Sequence, residues 1–127
     1  MKKHIKKLLF INAVVLLALA GCKQSVSFAP VLDVKVASAN AKANEKLLFE
    51  ISGNPDFLVF YSGETGKEYS TEKFGGGVTI KGMDTRVETF TFSYPLAGTY
   101  TATFVGSTSN VYEKQEVIKT LQIVVSP

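Results

Sequence analysis

The chain has 127 residues, one cysteine, no tryptophan and a formal net charge of +3. Four lysines and the only histidine lie in the first seven residues, leaving 10 basic against 11 acidic side chains in the remainder, so there is no basic field for nucleic acid. A lone cysteine excludes an internal disulfide, and a remainder without histidine excludes Ser-His and Cys-His catalysis.

The first element is an export signal. Lys2, Lys3, Lys6 and Lys7 form a basic start, and Leu8 to Ala20 is an uninterrupted run without charge. As a helix that run would reach ~20 Å, short of the ~30 Å hydrocarbon core, so it reads as a signal peptide rather than a stable span. Its end, Leu19-Ala20-Gly21-Cys22, resembles the bacterial lipobox, in which the cysteine is lipidated and becomes the first mature residue. The expected organisation is a lipoprotein signal peptide over 1–21, a lipidated Cys22 with its tether over 22–30, and a single domain over 31–127. The expected partner of Cys22 is the membrane, and the expected location is the cell envelope, at the outer membrane. "KQSVS" after Cys22 carries no acidic residue. Surface-exported lipoproteins tend to have acids there, so the periplasmic face stays open.

Beyond Gly21 the periodicity is that of strands. "VLDVKV" turns Leu32, Val34 and Val36 to one face, and "LLFEIS" does the same with Leu47, Phe49 and Ile51. "ANAKANEK" between them reads as a polar connection. "FLVFYS" is apolar on both faces, as in a central strand, with Leu58 and Phe60 inward. Gly75-Gly76-Gly77 reads as a flexible hairpin loop before the short strand "GVTI". Lys81, Asp84, Arg86 and Glu88 read as a solvated charged patch. "ETFTFSY" turns Phe90, Phe92 and Tyr94 to one side, with Val87 out of phase. "TYTATF" points Tyr100, Ala102 and Phe104 inward and its threonines outward, and "VIKTLQIVV" turns Val117, Leu121, Ile123 and Val125 one way. About seven short runs with turn signals every ten residues or so predict an all-β, antiparallel sandwich of immunoglobulin-like type.

"SYPLAGTYTATF" sharpens that expectation. Pro95 and Gly98 make a turn, and Tyr100 just inside the next strand is placed to return its hydroxyl to the backbone at the corner. The segment resembles the PKD domain, an immunoglobulin-like subgroup, through Tyr94, Gly98 and Tyr100. The tryptophan and Gly-Asp-Gly turn of that domain are missing. In their place, "GNPDFLVFYSGETGKEY" resembles a PKD-like domain of unknown function in Bacteroides-type lipoproteins. The match falls on Gly53, Asn54, Pro55, Asp56, Phe60, Tyr61, Ser62, Gly63, Glu64, Gly66 and Tyr69, and the likeness covers about residues 28–127. The resemblance implies a non-catalytic binding or spacer module. Members often continue into a further C-terminal domain, which these residues do not contain. Where members often occur also implies a glycan-binding accessory role in polysaccharide uptake.

For the stretch 54–69 the residues themselves favour a structural corner. Proline fixes φ, Asn and Asp bond nearby backbone, and Gly63 and Gly66 supply positive φ. Glu64, Gly98 and Tyr100 belong to the same reading. Calcium at Asn54, Asp56 and Glu64 uses suitable oxygen ligands, although the spacing fits no defined loop. Tyr61, Tyr69 and Tyr112 are the aromatics placed to meet a glycan or another envelope protein. A purely structural lipoprotein packed on such a protein is the remaining alternative, and no catalytic residue is expected.

Overall fold

The computed structural model describes residues 29–72, 75–110 and 112–127. The expected signal peptide over 1–21 and Cys22 lie outside them. Eight strands are described: β1 (Leu32–Val36), β2 (Asn40–Lys42), β3 (Leu47–Gly53), β4 (Phe57–Tyr61), β5 (Val78–Lys81), β6 (Thr89–Phe92), β7 (Gly98–Ser109) and β8 (Lys114–Ser126). They form two sheets of order β1-β3-β6 and β2-β8-β7-β4-β5. The fold is an all-β sandwich, and the neighbours β3-β6 and β4-β7-β8 are those of an immunoglobulin-like arrangement.

The strand beyond the expected seven is β2. "ANAKANEK" is not wholly a connection, because Asn40–Lys42 pairs with Val124–Ser126. This one pairing is parallel, since the chain continues in the direction of β1 while crossing from one sheet to the other. Its single inward residue, Ala41, is buried, and its backbone covers part of the edge of β8.

Alternation puts one face of each strand inside. Leu32, Val34, Leu47, Phe49 and Ile51 from one sheet meet Leu58, Phe60, Ala102, Phe104, Ile123 and Val125 from the other. Rings interlock at the centre: Phe104 lies 5.2 Å from Phe49 and 5.0 Å from Phe60, and Phe60 lies 4.8 Å from Phe90. Tilted pairs at such separations are favourable beyond the area they bury. Strand β6 starts only at Thr89, and Val87 reaches the core from the crossover before it.

The registers give the sandwich two poles. Val31, the β3–β4 turn, the β5–β6 connection and the β7–β8 hairpin tip share one, because Leu32 pairs with Gly53, Phe57 with Ser107 and Leu58 with Lys81. The β6–β7 turn and the end of β8 share the other, because Gly98 pairs with Val125.

Phe104 touches both sheets' aromatic rings and is fully buried. Phe104→Ala should cost ~3–5 kcal/mol, read as a fall in the denaturant midpoint with the slope unchanged.

Candidate functional site

The stretch 54–69 divides between the two poles. At the first, Gly53 has φ +135°, and a Cβ there would lie 1.9 Å from the Val31 carbonyl oxygen. Only glycine allows that approach. Asn54 then holds the same peptide from both sides: its N–H donates to Val31 O at 3.0 Å, and its Oδ1 accepts from Val31 N–H at 2.7 Å. Pro55 is buried beneath Gly106. The expectation that Asp56 acts through its side chain is corrected, because its bonds are made by backbone: its N–H donates to Ser107 O at 2.9 Å, and its carbonyl accepts from Lys81 Nζ at 3.2 Å. Lys81 is therefore partly buried and tied down, unlike the exposed Asp84, Arg86 and Glu88.

At the other pole, Tyr94 organises the turn after β4. It is wholly buried, and its hydroxyl donates to Ser62 O at 2.7 Å, from the connection of one sheet to that of the other. Its ring stacks on Tyr100 at 4.2 Å and meets Phe92 edge-on at 4.9 Å. Burial, with the nearby Glu64 carboxylate adding to it, pushes the Tyr94 phenol well above its ordinary range. Tyr100 donates to Leu96 O at 2.8 Å from a half-buried corner, with Gly98 under its ring. Glu64 closes a small knot, accepting from Ser62 Oγ at 2.7 Å and from Lys67 Nζ at 3.3 Å. Gly63, at φ +82°, lies so close to β7 that a Cβ would sit 2.5 Å from Thr101 O. Gly66 donates its N–H to Glu68 Oε2 at 2.9 Å on the outside of this turn.

Strand β4 thus separates Asn54 and Asp56 from Glu64. Five strand residues span about 16 Å, too far for one ion to take all three. Among the described residues no group of three acidic, histidine or cysteine side chains could hold a metal ion.

The knot sends the β4–β5 connection back across the outer face of the larger sheet. Tyr69 meets Tyr61 edge-on at 5.2 Å. At Gly77 a Cβ would lie 2.6 Å from Val59 Cγ1 and 2.7 Å from the Tyr61 ring, and at Gly76 2.6 Å from Gly66 O, so these two of the three glycines are packed while Gly75 faces open space. The cover explains why Thr103, on the outward face of β7, is only 3 % exposed and Val105 beside it is buried. Tyr69 separates two clefts. One, of about 270 Å³, is lined by Tyr61, Ser70, Ser107 and Lys114. The other, of about 390 Å³, is lined by Thr99, Thr101, Thr103 and Thr120. A further cleft of about 360 Å³ opens between the sheets at the first pole, walled by Val87, Lys81 and Arg86. Tyr112 belongs to none of the three. It is 90 % exposed at the β7–β8 tip.

The outer face therefore offers two half-exposed phenol rings flanked by hydroxyl side chains, a surface for contact. The fold and this face define a β-sandwich module with an aromatic ridge between two shallow clefts. Residues 21–102, more than half of the chain, match the family described as a domain of unknown function (DUF5017), and the chain belongs to that family. No curated protein is similar enough to the chain to count as a relative.

Tyr94→Phe removes the phenol donor to the buried Ser62 carbonyl and should cost ~1–3 kcal/mol, whereas Tyr100→Phe at its solvent-facing corner should cost less than ~1 kcal/mol. The pH dependence separates them further. Above the ordinary tyrosine value of 10.0 the unfolded chain ionises Tyr94 while the folded chain keeps it protonated. Its contribution is level below that pH and is lost as pH rises beyond it. Denaturation of wild type and Tyr94→Phe between pH 8 and 11 should show the difference between them shrinking only at the alkaline end.

Proposed function

We propose that the protein is a lipoprotein anchored through Cys22, and that its sandwich is a non-catalytic, PKD-like binding module of the cell envelope. The lipobox-like Leu19-Ala20-Gly21-Cys22 supports the anchor, and the family match begins at residue 21, beside that cysteine. The likeness to Bacteroides-type lipoprotein domains supports an outer-membrane setting.

The observation that carries the binding role is the Tyr61–Tyr69 pair, its rings 5.2 Å apart between clefts of serine and threonine. Phenol rings offer flat apolar faces, and hydroxyls both donate and accept. Sugars present that same alternation of C–H faces and hydroxyl edges, so the ligand class favoured is a glycan. Tyr69 is the better probe, because Tyr61 also packs on Gly77. Tyr69→Ala should abolish retention on an immobilised-polysaccharide panel while the melting temperature stays within a few degrees of wild type. Retention equal to wild type would remove the ridge from the site.

The anchor has its own test. Bacteria fed a labelled fatty acid should tag the wild type and not Cys22→Ser. Equal labelling of the two sinks the lipoprotein reading and leaves the binding reading standing.

A further inference from the structure

We infer that the pole at which the tether enters is a membrane-contact surface, with Tyr112 and Met83 seated in the lipid interface; this rests on the anchor proposed above. The pole is fixed by Val31, whose peptide is held by Gly53 and Asn54. Only eight peptide links separate Cys22 from Pro30. At full extension they reach at most about 29 Å. The sandwich is longer than that, since the thirteen residues of β8 run about 43 Å from pole to pole. A bilayer holding acyl chains on Cys22 therefore meets this pole before the other.

The pole carries apolar side chains where loops ordinarily place polar ones. Tyr112 is 90 % exposed, Val31 64 % and Met83 59 %. Two of them stand on braced turns. Asn110 Oδ1 accepts from the N–H groups of Tyr112 and Glu113 at 2.8 and 2.9 Å, and Asn110 N–H donates to Glu113 O at 3.0 Å. Around Met83, Thr85 Oγ1 accepts from Gly82 N–H at 2.9 Å and donates to Gly82 O at 3.0 Å. Bracing the backbone lowers the ordering cost of holding each side chain outward. Tyrosine suits the interface, its ring apolar and its hydroxyl wet.

Charge selects the kind of surface. Lys81, Arg86 and Lys114 are offset by Asp56, Asp84, Glu88 and Glu113, and Arg86 is paired with Glu88 at 2.8 Å. A mixed rim gives no attraction to anionic headgroups, so the contact is apolar insertion into zwitterionic lipid and is insensitive to salt.

The absence of tryptophan makes the test direct. Full-length lipidated protein carrying Tyr112→Trp has one indole at the proposed contact, and Leu96→Trp places one at the opposite pole, where Leu96 is 71 % exposed. Each is reconstituted into phosphatidylcholine–phosphatidylethanolamine vesicles with and without brominated acyl chains. The Tyr112→Trp emission should shift to the blue and be quenched severalfold more than that of Leu96→Trp, equally at low and high salt. Anchored protein whose Tyr112→Trp indole stays in water overturns the inference and spares the anchor. A blue shift without bromine quenching overturns it in favour of a protein contact. Protein that takes no fatty acid and does not float with vesicles overturns the anchor, and this inference with it.

Discussion

The Tyr94 hydroxyl bonded to the Ser62 carbonyl is the point on which the course of the β4–β5 connection depends. Tyr94 follows β6 in the smaller sheet, while Ser62 follows β4 in the larger. A backbone carbonyl at a strand end needs a partner once water is excluded. The phenol supplies the donor from across the core. Because the ring is wedged between Phe92 and Tyr100, the hydroxyl has little freedom to leave. Fixing Ser62 fixes Gly63 against Thr101, and so sets the direction in which the chain leaves β4.

That direction creates the candidate site. An ordinary hairpin would take β4 straight into β5 and leave the outer face of β7 open. Here the connection doubles back, and the Glu64 carboxylate ties Ser62 to Lys67 across the reversal. The result brings Tyr69 onto Tyr61 and shelters Thr103. The Glu64–Lys67 pair is half in water and adds little by itself. The buried phenol bond and the close glycine contacts do more, since neither tolerates a small displacement.

Strand phase was legible in the sequence because burial on one face imposes a period of two. Leu32 and Val34, Leu47 through Ile51, Leu58 with Phe60, and Ala102 with Phe104 all lie inside as the alternation requires. Strand β2 was not legible: three residues with one apolar member carry no period, and its parallel pairing comes from the chain crossing between sheets. The cover over Thr103 was hidden for a related reason. A threonine on an outward position reads as solvated unless something far along the chain returns to it. The triple glycine was the available signal, and it was read as looseness. Glycine marks close packing as readily as freedom, and Gly77 against the Tyr61 ring is the packed case. Asn54 shows the same limit, since its side chain bonds Val31, a residue 23 positions back. Tyr94 was assigned to the core by phase alone; nothing local in "TFSYPL" announces the reach of its hydroxyl to Ser62.

The two poles differ in what they can offer a partner. At the pole shared by Val31 and the β7–β8 tip, Tyr112 and Met83 stand exposed on braced turns. That form suits a soft, deformable partner, which closes around separate points. On the side of the larger sheet the Tyr61–Tyr69 ridge is continuous and bounded by clefts, the form suited to a ligand with its own shape. Strand β4 links the two regions, running from the Asn54 clamp to the Ser62 knot with Leu58 and Phe60 locked in the core between them.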